Sequence, residues 1–144
     1  MGNYIDEIHR INYLNSELDS LYHLSSLKLG ITDSVSIVLY SIYDSGGECL
    51  LSDIYKSSGI SKQTVNSAVR RLENDGIICL EHSGGKKKKL VLTEKGKDYI
   101  QKTAARLYRA EMDAFDTWSQ EDIRTYIRLM EKYNDCFREQ INKL

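Results

Sequence analysis

The chain has 144 residues, 41% of them hydrophobic and 28% charged, with a formal net charge of −1. That is the composition of an ordinary soluble protein, long enough for one compact domain with helical extensions. No run approaches the roughly 18–20 apolar residues of a membrane span. The N-terminal residues lack the basic-then-apolar order of a signal peptide, and Asp6 stands where a myristoylation signal needs Ser or Thr. A cytoplasmic protein is expected. Near-zero net charge, taken alone, argues against a nucleic-acid binder, but its distribution argues the other way. Between Tyr55 and Lys97 the chain carries a net +6, and the remainder carries −7. A basic centre between acidic ends steers DNA onto the centre while the flanks stay solvated.

Tyr4 to Leu29 reads as a first helix. Tyr4, Ile8, Ile11, Asn15, Leu18 and Tyr22 alternate spacings of four and three, a heptad seam with a polar residue inside it. Ile5, Leu14 and Leu21 broaden the apolar face, so this helix can serve a core on one side and a partner on the other. Gly30 breaks it and Thr32 caps a second helix, Ser34 to Asp44, whose Val35, Ile37, Val38, Leu39 and Ile42 predict burial. Ser45-Gly46-Gly47 ends that helix. Glu48-Cys49-Leu50 is a candidate short strand that pairs with a later hairpin.

Leu51, Ile54 and Tyr55 fit a short helix ending at Ser58-Gly59. Ser61 is then a good N-cap for the next, because its hydroxyl can bond a free N–H of the first turn. Val65, Ala68, Val69 and Leu72 fall on one face of that helix, and Gln63, Asn66, Ser67, Arg70 and Asn74 make up the other. A thin apolar stripe with an amide- and guanidinium-rich outer face suits the DNA major groove. Gln and Asn bond adenine edges and Arg bonds guanine or phosphate, each good pair discriminating by roughly 1–3 kcal/mol. Gly76 can end the helix in the left-handed conformation. Ile77 to Leu80 reads as a strand, Ser83-Gly84-Gly85 as a turn, Lys86 to Lys89 as a basic tip, and Leu90 to Leu92 as the return strand. The lysine run alone reads equally well as a solvated loop. On a hairpin beside a polar helix it reads as a phosphate contact. Helix, glycine-containing turn, helix and hairpin make a winged helix-turn-helix, in a mainly α fold with a small β-wing.

Thr93 caps a long helix expected from Glu94 to about Phe115, with Ile100, Ala104, Leu107 and Phe115 on one face. Ser119 with Asp122 three residues on resembles a capping box for the last helix. There Ile123, Ile127, Met130, Asn134, Phe137, Ile141 and Leu144 keep four-three spacing to the end of the sequence. Asn15 and Asn134 each either set the register of a seam or sit at its wet edge, and both readings stand. Two terminal seams favour a dimer built from both ends. The expected organisation is a dimerisation helix over residues 1–29, a winged helix-turn-helix over 30–97 and C-terminal dimerisation helices over 98–144. Within the middle segment, the recognition helix spans about 61–75 and the wing about 77–92.

Cys49, Cys79 and Cys136, with His9, His23 and His82, show no zinc-site spacing. Cys79 in an apolar strand and Cys49 beside one are expected to be inert, buried thiols, with Cys136 the exposed one. There is no nucleophile elbow, phosphate loop or paired-carboxylate pattern, so neither an enzyme nor a cofactor or metal is expected.

Several short stretches resemble the pattern of MarR-type transcriptional regulators across nearly the full length. They are Gly30-Ile31-Thr32, Ser58-Gly59-Ile60-Ser61, Thr64-Val65, Arg71-Leu72-Glu73, Gly76-Ile77-Ile78 and Leu92-Thr93-Glu94-Lys95-Gly96. The resemblance implies a homodimer with two winged-helix lobes held together by helices from both chain ends. It also implies a ligand pocket between the dimer helices and the DNA-binding lobe, often for small aromatic or phenolic compounds. Tyr13, Tyr22, His23, Tyr40, Tyr43 and Tyr108 are the candidates to line one, although tyrosines also serve as amphipathic cover at helix junctions. The wing departs from the family pattern. Many relatives carry an Asp-x-Arg signature there, whereas this chain has Gly84-Gly85 and four lysines, so an arginine contact in the minor groove is not carried over. The helix at Leu50-Leu51 also starts where relatives often place a Thr or Ser cap.

The expected function is a cytoplasmic, homodimeric, DNA-binding transcription regulator, a repressor responsive to a ligand, on a pseudo-palindromic operator. Gln63, Asn66, Ser67 and Arg70 are the base-reading candidates. Ser61, Lys62, Thr64, Arg71, Lys86, Lys87, Lys88 and Lys89 are expected to hold phosphates. Two rivals stand beside it. One is a DNA-binding regulator without a small-molecule effector, and the other is a winged helix used only as a protein-interaction scaffold. A ligand that weakens operator binding separates off the first, and steep salt dependence of DNA binding the second.

Overall fold

The computed structural model describes residues 2–144, which fall into two compact units, the first ending at Tyr108 and the second beginning at Arg109. In the first unit, α1 (Ile5–Leu29) and α2 (Asp33–Asp44) are followed by β1 (Glu48–Leu50), α3 (Leu51–Ser57) and α4 (Lys62–Asn74). The hairpin β2 (Ile78–His82) and β3 (Lys88–Leu92) comes next, then α5 (Glu94–Lys102) and the start of α6 (Ala104–Ala114). The boundary between the units falls within α6. The second unit consists of the rest of that helix and α7 (Gln120–Ile141).

Local chemistry sets most of these ends. Thr32 Oγ1 accepts from the Val35 N–H at 3.3 Å, Ser61 Oγ from Thr64 at 3.1 Å, Thr93 Oγ1 from Gly96 at 3.0 Å, and Ser119 Oγ from Asp122 at 3.0 Å. Each satisfies a donor that the first turn leaves without an intrahelical partner. As the sequence suggests, α3 begins after Leu50 without a side-chain cap. Just past α4, Gly76 adopts a φ of 72°, and the Ile77 N–H behind it bonds the Leu72 carbonyl at 2.9 Å. A β-branched residue in that conformation would be strained.

The sheet is antiparallel in the order β1-β3-β2, with Cys49 opposite Leu90 and Leu80 opposite the same residue from the other side. Glu48–Leu50 therefore pairs with the wing as expected. The core lies between this sheet and the helices: Val38, Leu39 and Ile42 of α2, Ile54 of α3, and Val65 and Leu72 of α4 meet Ile78 and Leu90. All eight are essentially inaccessible to water. At roughly 1.5–3 kcal/mol for each fully buried aliphatic side chain, this cluster is the main reason α4 and the β2–β3 hairpin keep their places.

Three expectations need correcting. The helix expected from Glu94 to about Phe115 is two helices, interrupted at Thr103 with φ −124° and ψ −97°. Buried Thr103 donates its hydroxyl to the Tyr99 carbonyl at 2.9 Å, and its N–H turns to Ile100 at 3.3 Å. A threonine that competes in this way with the i−4 ladder bends or breaks a helix. Phe115 lies just past the end of α6, edge-on to Trp118 at 5.0 Å. The wing strands also run further than their apolar residues indicate, so Lys88 and Lys89 are strand residues and only Lys86 and Lys87 belong to the tip. Finally, Cys79 is exposed, because it alternates with buried Ile78 and points to the outer face of the hairpin.

The helix α1 buries only Ser26, and its seam residues Ile8, Ile11, Leu18 and Tyr22 stay between 42% and 52% exposed. In the second unit, α7 buries none of its residues, and Ile127, Met130, Phe137 and Ile141 stay 47–50% exposed. Among the described residues, no helix is long and apolar enough to cross a membrane.

Candidate nucleic-acid interface

The apolar stripe of α4 is buried as its spacing requires, with Val65, Ala68, Val69 and Leu72 each at most 3% exposed. The rotation that buries them turns Lys62, Gln63, Thr64, Ser67, Arg70 and Arg71 outward, and all six are exposed. The hydroxyls of Ser61 and Thr64 lie 2.8 Å apart, so the cap of α4 already engages them both. Arg70 reaches back one turn to donate to Ser67 Oγ at 3.4 Å, a long bond that leaves most of the guanidinium open to solvent. Gln63 is exposed at the front of the helix.

Asn66 differs from its neighbours. It is half-buried, and its Oδ1 accepts a hydrogen bond from the Tyr55 hydroxyl of α3. The ammonium of Lys62 stands 5.3 Å from the centroid of the same tyrosine ring. Tyr55 thus touches two of the residues assigned to the interface, yet sequence reasoning placed it only on the apolar side of a short helix. An eleven-residue separation across a turn carries no periodic signal, so nothing in the pattern marks it.

On the wing, Ser83 donates to the Lys87 carbonyl at 2.9 Å and Lys87 to Gly84 at 3.2 Å, which closes a tight tip carrying Lys86 and Lys87. Lys88 faces His82 across the hairpin and is exposed. Lys89 is half-buried and bonds Glu48 of β1 at 3.4 Å. The four lysines are therefore not equivalent. The two at the tip and Lys88 are open cations, whereas Lys89 already faces a carboxylate.

The six residues considered for a ligand pocket do not all come together. Tyr108 packs against Tyr40 at 5.6 Å and edge-on against Tyr43 at 5.4 Å, forming one aromatic cluster inside the first unit. Tyr13 instead lies under the Arg10 guanidinium at 5.3 Å, and both it and Tyr22 are exposed on α1. His23 Nδ1 pairs with Asp33 Oδ2 at 2.8 Å, tying α1 to the first turn of α2. That contact, with help from Ser26, holds the Asp33 carboxyl below its usual range. Burial, with the Asp53 charge adding to it, pushes the Cys49 thiol up to about 11, so it is essentially all thiol at neutral pH. Among the described residues, no group of three or more His, Cys, Asp or Glu is placed to hold a metal ion.

Residues 29–89, the segment that contains α2, the helix-turn-helix and most of the wing, match the model of the MarR family. Comparison of the sequence with curated proteins gives no match. Solved structures extend the likeness to the remaining helices. A MarR family regulator from Neisseria meningitidis is 21% identical with a TM-score of 0.76, over 99% of this chain and 99% of that one. One from Listeria monocytogenes, solved in complex with a 26mer DNA, is 19% identical with a TM-score of 0.69, over 97% of this chain and 92% of that one. BpsR of Bordetella bronchiseptica, whose DNA binding is regulated by 6-hydroxynicotinic acid, is 18% identical with a TM-score of 0.65, over 87% of this chain and 98% of that one.

Proposed function

We propose, starting from a winged-helix segment that belongs to the MarR family, that this chain is a sequence-specific DNA-binding repressor acting as a cytoplasmic homodimer. The observation that carries the reading is the outer face of α4. Gln63, Ser67 and Arg70 are exposed along it, without a large apolar side chain among them, and the exposed lysines of the wing tip follow on the adjoining hairpin. Gln63, Asn66, Ser67 and Arg70 then address base edges, while Lys62, Arg71, Lys86, Lys87 and Lys88 neutralise phosphates. Ser61 and Thr64 contribute through the N-terminal turn of the helix, whose free N–H groups favour an anionic phosphate.

The half-exposed seams of α1 and α7 support the dimer. Rows of Ile, Leu, Met and Phe at heptad spacing are otherwise a continuing cost in water. A two-fold dimer places its recognition helices in successive major grooves, with half-sites roughly 10 base pairs apart. The cluster of Tyr40, Tyr43 and Tyr108 supports an aromatic effector, comparable in class to the 6-hydroxynicotinic acid that regulates BpsR. Such a ligand releases DNA only by binding the DNA-incompetent arrangement more tightly than the competent one.

Footprinting of the full-length protein on the DNA upstream of its own coding sequence tests this reading. A protected, two-fold related site is expected, and Gln63→Ala with Arg70→Ala should abolish its preference over a scrambled duplex. Equal, weak protection of both duplexes by the wild type would favour the protein-interaction scaffold. A site that no aromatic acid releases would favour regulation without an effector.

A further inference from the structure

Tyr55 is the feature of the interface that neither the family pattern nor the periodicity assigns. Its hydroxyl donates to Asn66 Oδ1 across the helix-turn-helix, and its ring lies under the Lys62 ammonium, so the phenol is held at both its edge and its face. Tyr55 and Asn66 are both half-buried, and the bond between them competes less with water than one on the open surface. An asparagine that reads adenine needs both ends of its amide on one base edge, the oxygen accepting from N6 and the nitrogen donating to N7. The bond to α3 takes one of the two lone pairs of that oxygen and fixes the plane of the amide, so the side chain is not free to swing both ends onto one base edge. The Nδ2 hydrogens are the part of the amide left to seek acceptors in the groove.

We propose that Tyr55 is a positioning residue that sets the base preference of Asn66, turning an adenine reader into a donor that selects the N7 and O6 acceptors of guanine or the O4 of thymine. This rests on the DNA-binding reading above. The experiment is selection of full-length protein on randomised duplexes, with melting curves run alongside, for the wild type and for Y55F, N66D, N66A and the Y55F/N66A pair. Wild type should select guanine or thymine at one position of each half-site. Y55F should admit adenine there, raising it about tenfold relative to guanine while the other positions keep their preferences. N66D keeps an acceptor for Tyr55 but replaces the donor with a second acceptor, and should turn the same position toward the amino groups of cytosine or adenine. N66A should erase the preference, and Y55F added to it should change nothing further, as coupling through one side chain requires. Adenine selected by the wild type would overturn the proposal. So would a Y55F profile equal to the wild type, or a Y55F effect that persists in the N66A background. If Y55F melts too low to assay, N66D decides alone. Failure of the underlying DNA reading has a different signature, a wild type that selects no base at any position, and it overturns both.

Discussion

Gly96 sits in the first turn of α5, against the backbone of Ile77. A Cβ built there would lie 1.9 Å from the Ile77 carbonyl oxygen, a clash that no side-chain rotation relieves. The same junction is tied by the Thr93 hydroxyl, which donates to the Gly76 carbonyl at 2.6 Å, and by the Lys95 ammonium on the Asp75 carbonyl at 2.8 Å. Gly96→Ala is therefore expected to destabilise the chain by about 1–3 kcal/mol or more, read as a lower urea midpoint at an unchanged slope. Residue-scale reactivity follows burial in the same way. Cys79 and Cys136 are exposed, while Cys49 is buried with its thiol pushed up to about 11. Iodoacetamide at neutral pH should label two thiols of the native protein quickly and the third only on unfolding. A rapid third label would place Cys49 in a different environment.

At the scale of elements, the caps and the α4 stripe were legible because their signals are short-range. A serine or threonine at the N-cap and apolar residues three and four apart need no knowledge of the rest of the chain. Four features depend on packing that the local pattern does not carry. Thr103 breaks a helix because its buried hydroxyl finds the Tyr99 carbonyl, and burial is not written in the local pattern. Lys88 and Lys89 join a strand because β2 and β1 offer their backbones as partners, against the low strand preference of lysine. Cys79 faces out because pairing with β3 fixes which alternate residues face the core, and the Tyr55–Asn66 bond exists because two helices cross a turn. The unequal lysines give a test of the wing. Lys86→Ala and Lys87→Ala should each reduce the slope of log K against log salt by about 0.9 per protomer for every phosphate lost. Lys89→Ala should leave the slope nearly unchanged, since Glu48 already faces that ammonium. Equal effects from all three would show that the Glu48 pairing does not persist on DNA.

For the whole molecule, the proposed dimer rests on two apolar seams that stay about half exposed in the single chain. Sedimentation equilibrium should return twice the 16.6 kDa chain mass. A charge in either seam, as in Leu18→Glu or Ile127→Glu, should yield folded monomers with intact helical circular dichroism and much weaker operator binding. A dimer that tolerates both charges would mean that other surfaces hold it together. The chain separates a basic centre from acidic ends, so the DNA attraction proposed for it would belong to one region and not to its net charge.

The most direct test of DNA recognition by α4 and the wing is the affinity of purified full-length protein for its own upstream duplex, against a scrambled duplex, across a salt series. Tight binding that prefers the upstream sequence, and weakens steeply and linearly in log salt, is the expected result. Affinity that is weak, equal on both duplexes and insensitive to salt would contradict it.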